Sequence, residues 1–457
     1  MPAQVIMPWI GILIVAVTSY FLIKRKQTNM VSLLSGIAML LVAVACGVTN
    51  FLPKGVKPTG FIGFDFFELL RSISIKQVSG IGFIIMAAGG FAGYMDRIGA
   101  ADALVQLCIR PLRKMQQPYL VMVFAYLVGQ MLVQVIPSAA GLAMLLLVAL
   151  LPILRGVGVS AASAGAVIAC TAGLTFAPTA GTANLAAKIA GVDPIVYAVQ
   201  YQWPVALVTL IAVSVAHYFV QRYYDKKNDD VYVEGTEIKK ELVSAPGWYA
   251  MFPVLPIILL VIFSKFFVSS IRLNTVSALM LVWFLAVLVE LVRFRDCKKV
   301  FDDAMVFFKK MGALFGSIVA LIICAELFAT GIKATGVVGL LIDSSQNIGL
   351  GMTGMSVVLS GIVGAVTFLT GSGVGAYSGF AMLAPDVANG LGGSTAALVV
   401  PMQFIACTVR SMSPVAGVVL AVAGAIGISP LALVRRTFIP MIVGTVCILV
   451  MNWILFI

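Results

Sequence analysis

The chain is a succession of apolar runs separated by short charged or glycine- and proline-rich stretches, which leaves it few ways to fold. The runs cover about residues 5 to 23, 30 to 52, 80 to 96, 118 to 136, 142 to 154, 160 to 176 and 195 to 221. They resume at about 249 to 268, 275 to 292, 311 to 332, 350 to 369, 376 to 388, 395 to 409 and 431 to 457. A helix needs roughly 20 such residues to cross a bilayer, which sets a ceiling of about fourteen crossings. Only 11% of residues are charged, against roughly 25% in soluble proteins, so a soluble enzyme is excluded. The net charge of +12 is scattered between runs and not gathered on one face, so nucleic acid is not an expected partner. The seven cysteines lie singly with no CxxC pair, so neither a disulfide framework nor a metal site is indicated. No basic region precedes the run at Val5, which is therefore expected to be a retained first span.

The runs at 142 to 154 and 376 to 388 hold about thirteen residues, fewer than a crossing helix needs. Each follows a longer run across a break of small residues, Pro137-Ser138-Ala139-Ala140-Gly141 and Thr370-Gly371-Ser372-Gly373-Val374-Gly375. Two re-entrant hairpins are expected there. With both termini outside and both hairpins returning to their side of origin, most of the 30 Lys and Arg fall on the cytoplasmic side, as the positive-inside rule requires. Among them are Lys24, Arg25 and Lys26, the set Arg110, Arg113 and Lys114, and the pair Lys309 and Lys310. A charged linker near 222 to 248 divides the chain. Pro178, Gly181, Gly191, Pro194 and Pro204 recur 236 residues later as Pro414, Gly417, Gly427, Pro430 and Pro440, which identifies an internal repeat. Under this topology the halves are inverted. Residues 97 to 117 and 333 to 349 are expected as amphipathic arms along opposite interfaces. The fold class expected is an all-α polytopic membrane protein of two inverted repeats, each with a re-entrant hairpin and a broken transmembrane helix.

Proline within an apolar run removes a backbone donor and breaks the helix. Polar backbone freed inside the membrane is tolerated where it lines a protein cavity, and half-helix ends meeting near the midplane are a recurring transporter design. Four such ends are expected: the two hairpin tips, and the breaks at Ala177–Gly181 and Met412–Gly417. Helix N-termini present free amides to an anion. The candidate substrate-binding residues are Ser138, Ala139, Gly141, Pro178, Thr179, Gly181, Thr182, Thr370, Gly371, Ser372, Gly373, Arg410, Ser411, Ser413 and Pro414. Arg410 stands some four residues before the Pro414 break. An intramembrane guanidinium needs a partner; it either grips a bound carboxylate bidentately, or it snorkels or caps a helix end. Glu326 is either the proton carrier or a residue of the outer interface near Lys333. Sodium held by carbonyls at the breaks is the alternative coupling ion. His217, the only histidine, is expected at a membrane interface. No HExxH or GxxxxGK motif is present, so neither catalysis nor a cofactor is expected.

Several stretches resemble the DcuC-type anaerobic C4-dicarboxylate carriers, a family of the ion transporter superfamily. They are TGSG from Thr370, RSMSPVAGVVLAVAGAIGISPLALVRRTFIP from Arg410, GGFAGYMDRIGA from Gly89 and AHYFVQRYYDKK from Ala216. The resemblance implies a homodimeric carrier of the bacterial inner membrane, moving succinate, fumarate, malate or similar dianions by symport or exchange. It also implies an elevator motion, with residues 118 to 221 and 350 to 457 as the transport region and 1 to 117 and 249 to 349 as the scaffold. Where such carriers have Asn and then Ala-Pro after Gly-Ser-Gly, this chain has Val374, Gly375 and Ala376. An amino acid or another organic anion is therefore an alternative cargo, and a passive anion channel an alternative mechanism.

Overall fold

The computed structural model describes residues 2–23, 27–53, 55–136, 138–227, 245–264, 267–268, 270–271, 273–347 and 349–457. The cluster Lys24 to Lys26, the tip residue Pro137 and most of the 222 to 248 linker lie outside the described residues. Helices α1 to α5 are Pro2–Ile23, Thr28–Ala45, Ile62–Gln77, Phe83–Arg97 and Ala100–Ile109. The first broken unit comprises α6 (Pro118–Val133), α7 (Ala139–Gly156), α8 (Ala161–Cys170), α9 (Gly181–Ala190), α10 (Pro194–Tyr197) and α11 (Trp203–Lys227). Then come α12 (Met251–Ile262), α13 (Thr275–Phe294), α14 (Cys297–Leu314), α15 (Ala320–Ala334) and α16 (Val337–Asn347). The second broken unit is α17 (Gly351–Thr370), α18 (Gly373–Ala381), α19 (Ala384–Gly390), α20 (Thr395–Arg410), α21 (Gly417–Ile426) and α22 (Pro430–Phe456). Among the described residues there is no strand, and seven helical stretches are long and apolar enough to cross a membrane.

Local chemistry sets the helix ends. Ser138 and Ser372, just before α7 and α18, accept the N–H groups of Gly141 and Gly375, the ordinary N-cap bond. The second halves of the two broken helices begin and end at matching positions at the 236 offset. Ala180 and Ala416 precede α9 and α21 with extended backbone, and Gly191 and Gly427 close them in the left-handed region at φ 69° and 72°. Glycine adopts that conformation without steric cost, which suits it to both helix ends. Pro194 and Pro430 then open α10 and α22 at their first positions, where a missing N–H costs nothing.

The lengths of the second arms differ from expectation. Helix α7 has 18 residues and is itself long enough to cross, so shortness does not mark the first arm as re-entrant. The arm at 376 to 388 is two helices, α18 of 9 residues and α19 of 7, the latter with Pro385 in its first turn. Helix α3 falls where no apolar run was drawn, because Asp65, Glu68, Arg71 and Lys76 interrupt its hydropathy. It continues through a π-helical turn, Val78–Gly82, into α4. Helices α14 and α15 are joined by a second π turn, Phe315–Val319, close to the same 236-residue spacing.

Packing places two helices at the centre. Every residue of α8, and α20 from Ala396 to Val409, is buried, as expected of helices surrounded by other helices on all sides. Around them, close approaches depend on glycine. A Cβ on Gly36 of α2 would come within 2.9 Å of the Phe328 backbone nitrogen on α15, a small-residue contact that lets two helices meet backbone to backbone.

Candidate functional site: a cavity between two broken helices

The first break, 171 to 180, leaves more backbone unpaired than the second, 411 to 416, and side-chain amides occupy it. Gln134, at the end of α6, accepts N–H bonds from Phe176 at 2.8 Å and Ala177 at 2.9 Å, and donates to the Leu174 carbonyl at 2.9 Å. Gln403, from the middle of α20, donates to the Thr175 carbonyl at 3.0 Å and accepts from Gln202 at 2.9 Å. Trp203 donates to the Phe176 carbonyl at 3.3 Å. These bonds offset the several-kcal/mol-scale cost that unpaired backbone carries away from water.

A cavity of about 420 Å³ lies against this break. One wall comes from α4, α14 and α15 through Gly89, Gly93, Lys310, Leu314 and Ile322, with Ile318 of the second π turn. The other carries Ser138, Thr175, Thr179, Gly181, Thr182, Gly373, Cys407 and Arg410. The first break itself, the N-termini of α9 and α18 and the C-terminal end of α20 therefore reach one space. Arg410 ends α20. Its Nη2 donates to the Ala172 carbonyl at 2.9 Å, just beyond the C-terminus of α8, while its Nε is buried without a hydrogen-bond partner among the described residues. The guanidinium thus caps the end of one helix and retains unused donor capacity in the cavity wall. Cys407 lies one turn earlier, its Sγ 3.3 Å from the Thr175 hydroxyl.

The sequence model described as C4-dicarboxylate anaerobic carrier matches residues 7–457. The anaerobic C4-dicarboxylate transporter DcuC of Escherichia coli K12 is 32% identical over 441 residues, covering 96% of this chain and 95% of that protein. A similarly described Vibrio cholerae protein is 32% identical over 442 residues, covering 96% of each. The chain belongs to the DcuC family. The family and these relatives are transporters, not enzymes. Two solved structures share the fold of this DcuC-family chain. The YdaH transporter of Alcanivorax borkumensis has a TM-score of 0.61 at 15% identity, covering 94% of this chain and 98% of that one. MtrF of Neisseria gonorrhoeae, from a class described as antimetabolite efflux pumps, has 0.63 at 12%, covering 94% and 95%.

Of the residues singled out in this family member, Ser138, Thr179, Gly181, Thr182, Gly373 and Arg410 line the cavity; Ala139, Gly141, Pro178, Thr370, Gly371, Ser372, Ser411, Ser413 and Pro414 do not. Local bonds account for several of these. The Ser411 hydroxyl donates to the Ala169 carbonyl at 3.0 Å, Ser413 to Phe368 at 2.6 Å and Thr370 to Val366 at 2.7 Å. The Thr370 bond, four residues back on its own helix, is common for hydroxyls in apolar helices, whereas Ser411 and Ser413 reach carbonyls on other segments. Thr370 and Ser372 line a separate space of about 30 Å³ together with Thr18 and Ser32.

Glu326 is outside the cavity lining. It accepts from Lys76 at 3.0 Å and from Gln77, while Lys333 pairs with Asp386 at 2.7 Å. His217 is fully buried with its ring 5.2 Å from Tyr126, where α11 packs against α6 and α22. The Leu174, Thr175, Phe176 and Ala172 carbonyls accept from Gln134, Gln403, Trp203 and Arg410. Among the described residues no cluster of His, Cys, Asp and Glu could hold a metal. Sequence reading missed Gln134, Gln403, Thr175 and Lys310. The first two carried a signal, an isolated amide inside an apolar run.

Proposed function

We propose that the protein is a secondary active carrier of C4 dicarboxylates such as succinate, fumarate and malate. It works in the bacterial inner membrane by symport with a proton or sodium ion or by exchange with a counter-substrate. The observation that carries this reading is the two-sided cavity, whose break-bearing wall holds a guanidinium with spare donors. A carboxylate is the natural partner for such a group. Family membership favours the C4 class, because the E. coli and V. cholerae relatives bear that description.

The same division supports an elevator. Residues 118 to 221 and 350 to 457 form the moving part with both hairpins and both breaks, and residues 1 to 117 and 249 to 349 the fixed part, paired as a homodimer. The matched caps at the 236 offset support two repeats, inverted so that both termini face outside. In that topology the exposed edge of the cavity at Asp96 and Lys310 faces the cytoplasm.

Reconstitution in lipid vesicles tests the reading. Preloaded succinate should accelerate entry of labelled succinate, whereas a passive channel would show no such counterflow. Arg410→Ala should raise the succinate KM roughly ten- to a hundred-fold, the equivalent of losing a charge-assisted bond of about 1.5–3 kcal/mol. Normal rate and affinity in that variant would overturn the assignment.

A further inference from the structure

A second cation reaches the cavity. Lys310 stands one turn before the end of α14, is exposed, lines the cavity, and makes no hydrogen bond or ion pair with any described residue. It lies there because position 93 is glycine. A Cβ on Gly93 would come within 2.5 Å of the Lys310 Cγ and 3.3 Å of its Cβ and Cδ, so any larger residue would push the stem aside. The neighbouring charges are committed. Arg97 is held by Asp303 at 2.6 Å, and Asp96, the other ionisable residue at this edge, has an interaction of its own.

A dianion brings two carboxylates, and one guanidinium compensates one of them. The second is costly to take out of water unless it too meets a cation. We propose that Lys310 is a specificity-determining residue whose ammonium meets the second carboxylate on the side to which the cavity opens, which selects dianions over monoanions. This rests on the carrier reading above. There, Arg410 belongs to the part that moves and Lys310 to the part that stays, so the two cations share the substrate in one access state and are parted in the other. The contribution of Lys310 is therefore one-sided.

The experiment measures the succinate KM separately on each face of oriented vesicles, for wild type, Lys310→Gln, Lys310→Arg and Gly93→Ala. Lys310→Gln should raise KM on the cavity-open face roughly three- to five-fold, the scale of an exposed ion pair, and leave the other face unchanged. On that face it should also narrow the preference for succinate over butyrate. Lys310→Arg should retain wild-type behaviour and serve as the folding control, and Gly93→Ala should reproduce the Gln variant by displacing the stem. Unchanged KM on the open face, or an equal rise on both faces, would overturn the proposal while leaving the carrier reading standing. Absence of succinate counterflow in the wild type would overturn both.

Discussion

Gln134 replaces hydrogen bonds that an unbroken helix would have made for itself. One amide serves two N–H groups and one carbonyl of the first break, so its loss is felt at three backbone groups at once. Gln134→Leu should lower the thermal midpoint of the purified protein, by the equivalent of roughly 1–3 kcal/mol for each amide left unpaired in the interior. A leucine variant that melts with the wild type would show that water or another group satisfies the break. The sequence carried the break at Pro178 but not its closure, because Gln403 reaches Thr175 across 228 residues of sequence and such pairings leave no local trace. The same holds for Arg410. Its charge within an apolar stretch was legible, whereas its bond to Ala172 depends on two helices from different halves crossing at one point.

At the scale of elements, what sequence carried best was punctuation. The glycines at 191 and 427 and the prolines at 194 and 430, read from sequence as matches at one offset, close and open helices over one turn of backbone, and Ser138 and Ser372, read as candidate substrate-binding residues, are N-caps. Arm length was less legible, since packing decides it. Helix α7 continues past both ends of its apolar run, and α18 stops at Ala381 where α19 turns away. The seating of α18 against α20 gives a sharp prediction. A Cβ on Gly373 would collide with the Ala406 carbonyl, whereas Gly379 on the same helix has open space around it. Gly373→Ala should therefore cost about 1–3 kcal/mol, as overpacking does, and impair transport. Gly379→Ala should be neutral or slightly stabilising, because alanine is the better helix former. Equal thermal midpoints for the two variants would contradict this seating of the helix.

The whole molecule is tied across its two proposed parts by a polar crossing on α9, α3 and α15. Lys188 of α9 donates to Gln77 at 3.2 Å, Gln77 in turn donates to Glu326, and Glu326 accepts from Lys76 at 3.0 Å. Gly80, whose backbone departs from helical geometry inside the first π turn, leaves room for the ammonium, since a Cβ there would approach the Lys188 Nζ to 2.8 Å. Nothing local in the sequence couples Lys188 to a glutamine on α3, 111 residues away. If α9 shifts against α3 during transport, this bond breaks in every cycle, so it favours the access state in which it is formed. Lys188→Met keeps much of the aliphatic stem and removes the charge. Its effect is readable at Cys407, which lines the cavity, in a variant where the other six cysteines are replaced. A hydrogen bond to a charged group is worth about 1.5–3 kcal/mol, enough to shift a two-state population roughly ten-fold. Labelling of Cys407 by an impermeant maleimide added from outside should therefore rise several-fold in Lys188→Met, and excess succinate should suppress it. Labelling equal to that of the parent would show that the crossing holds neither state.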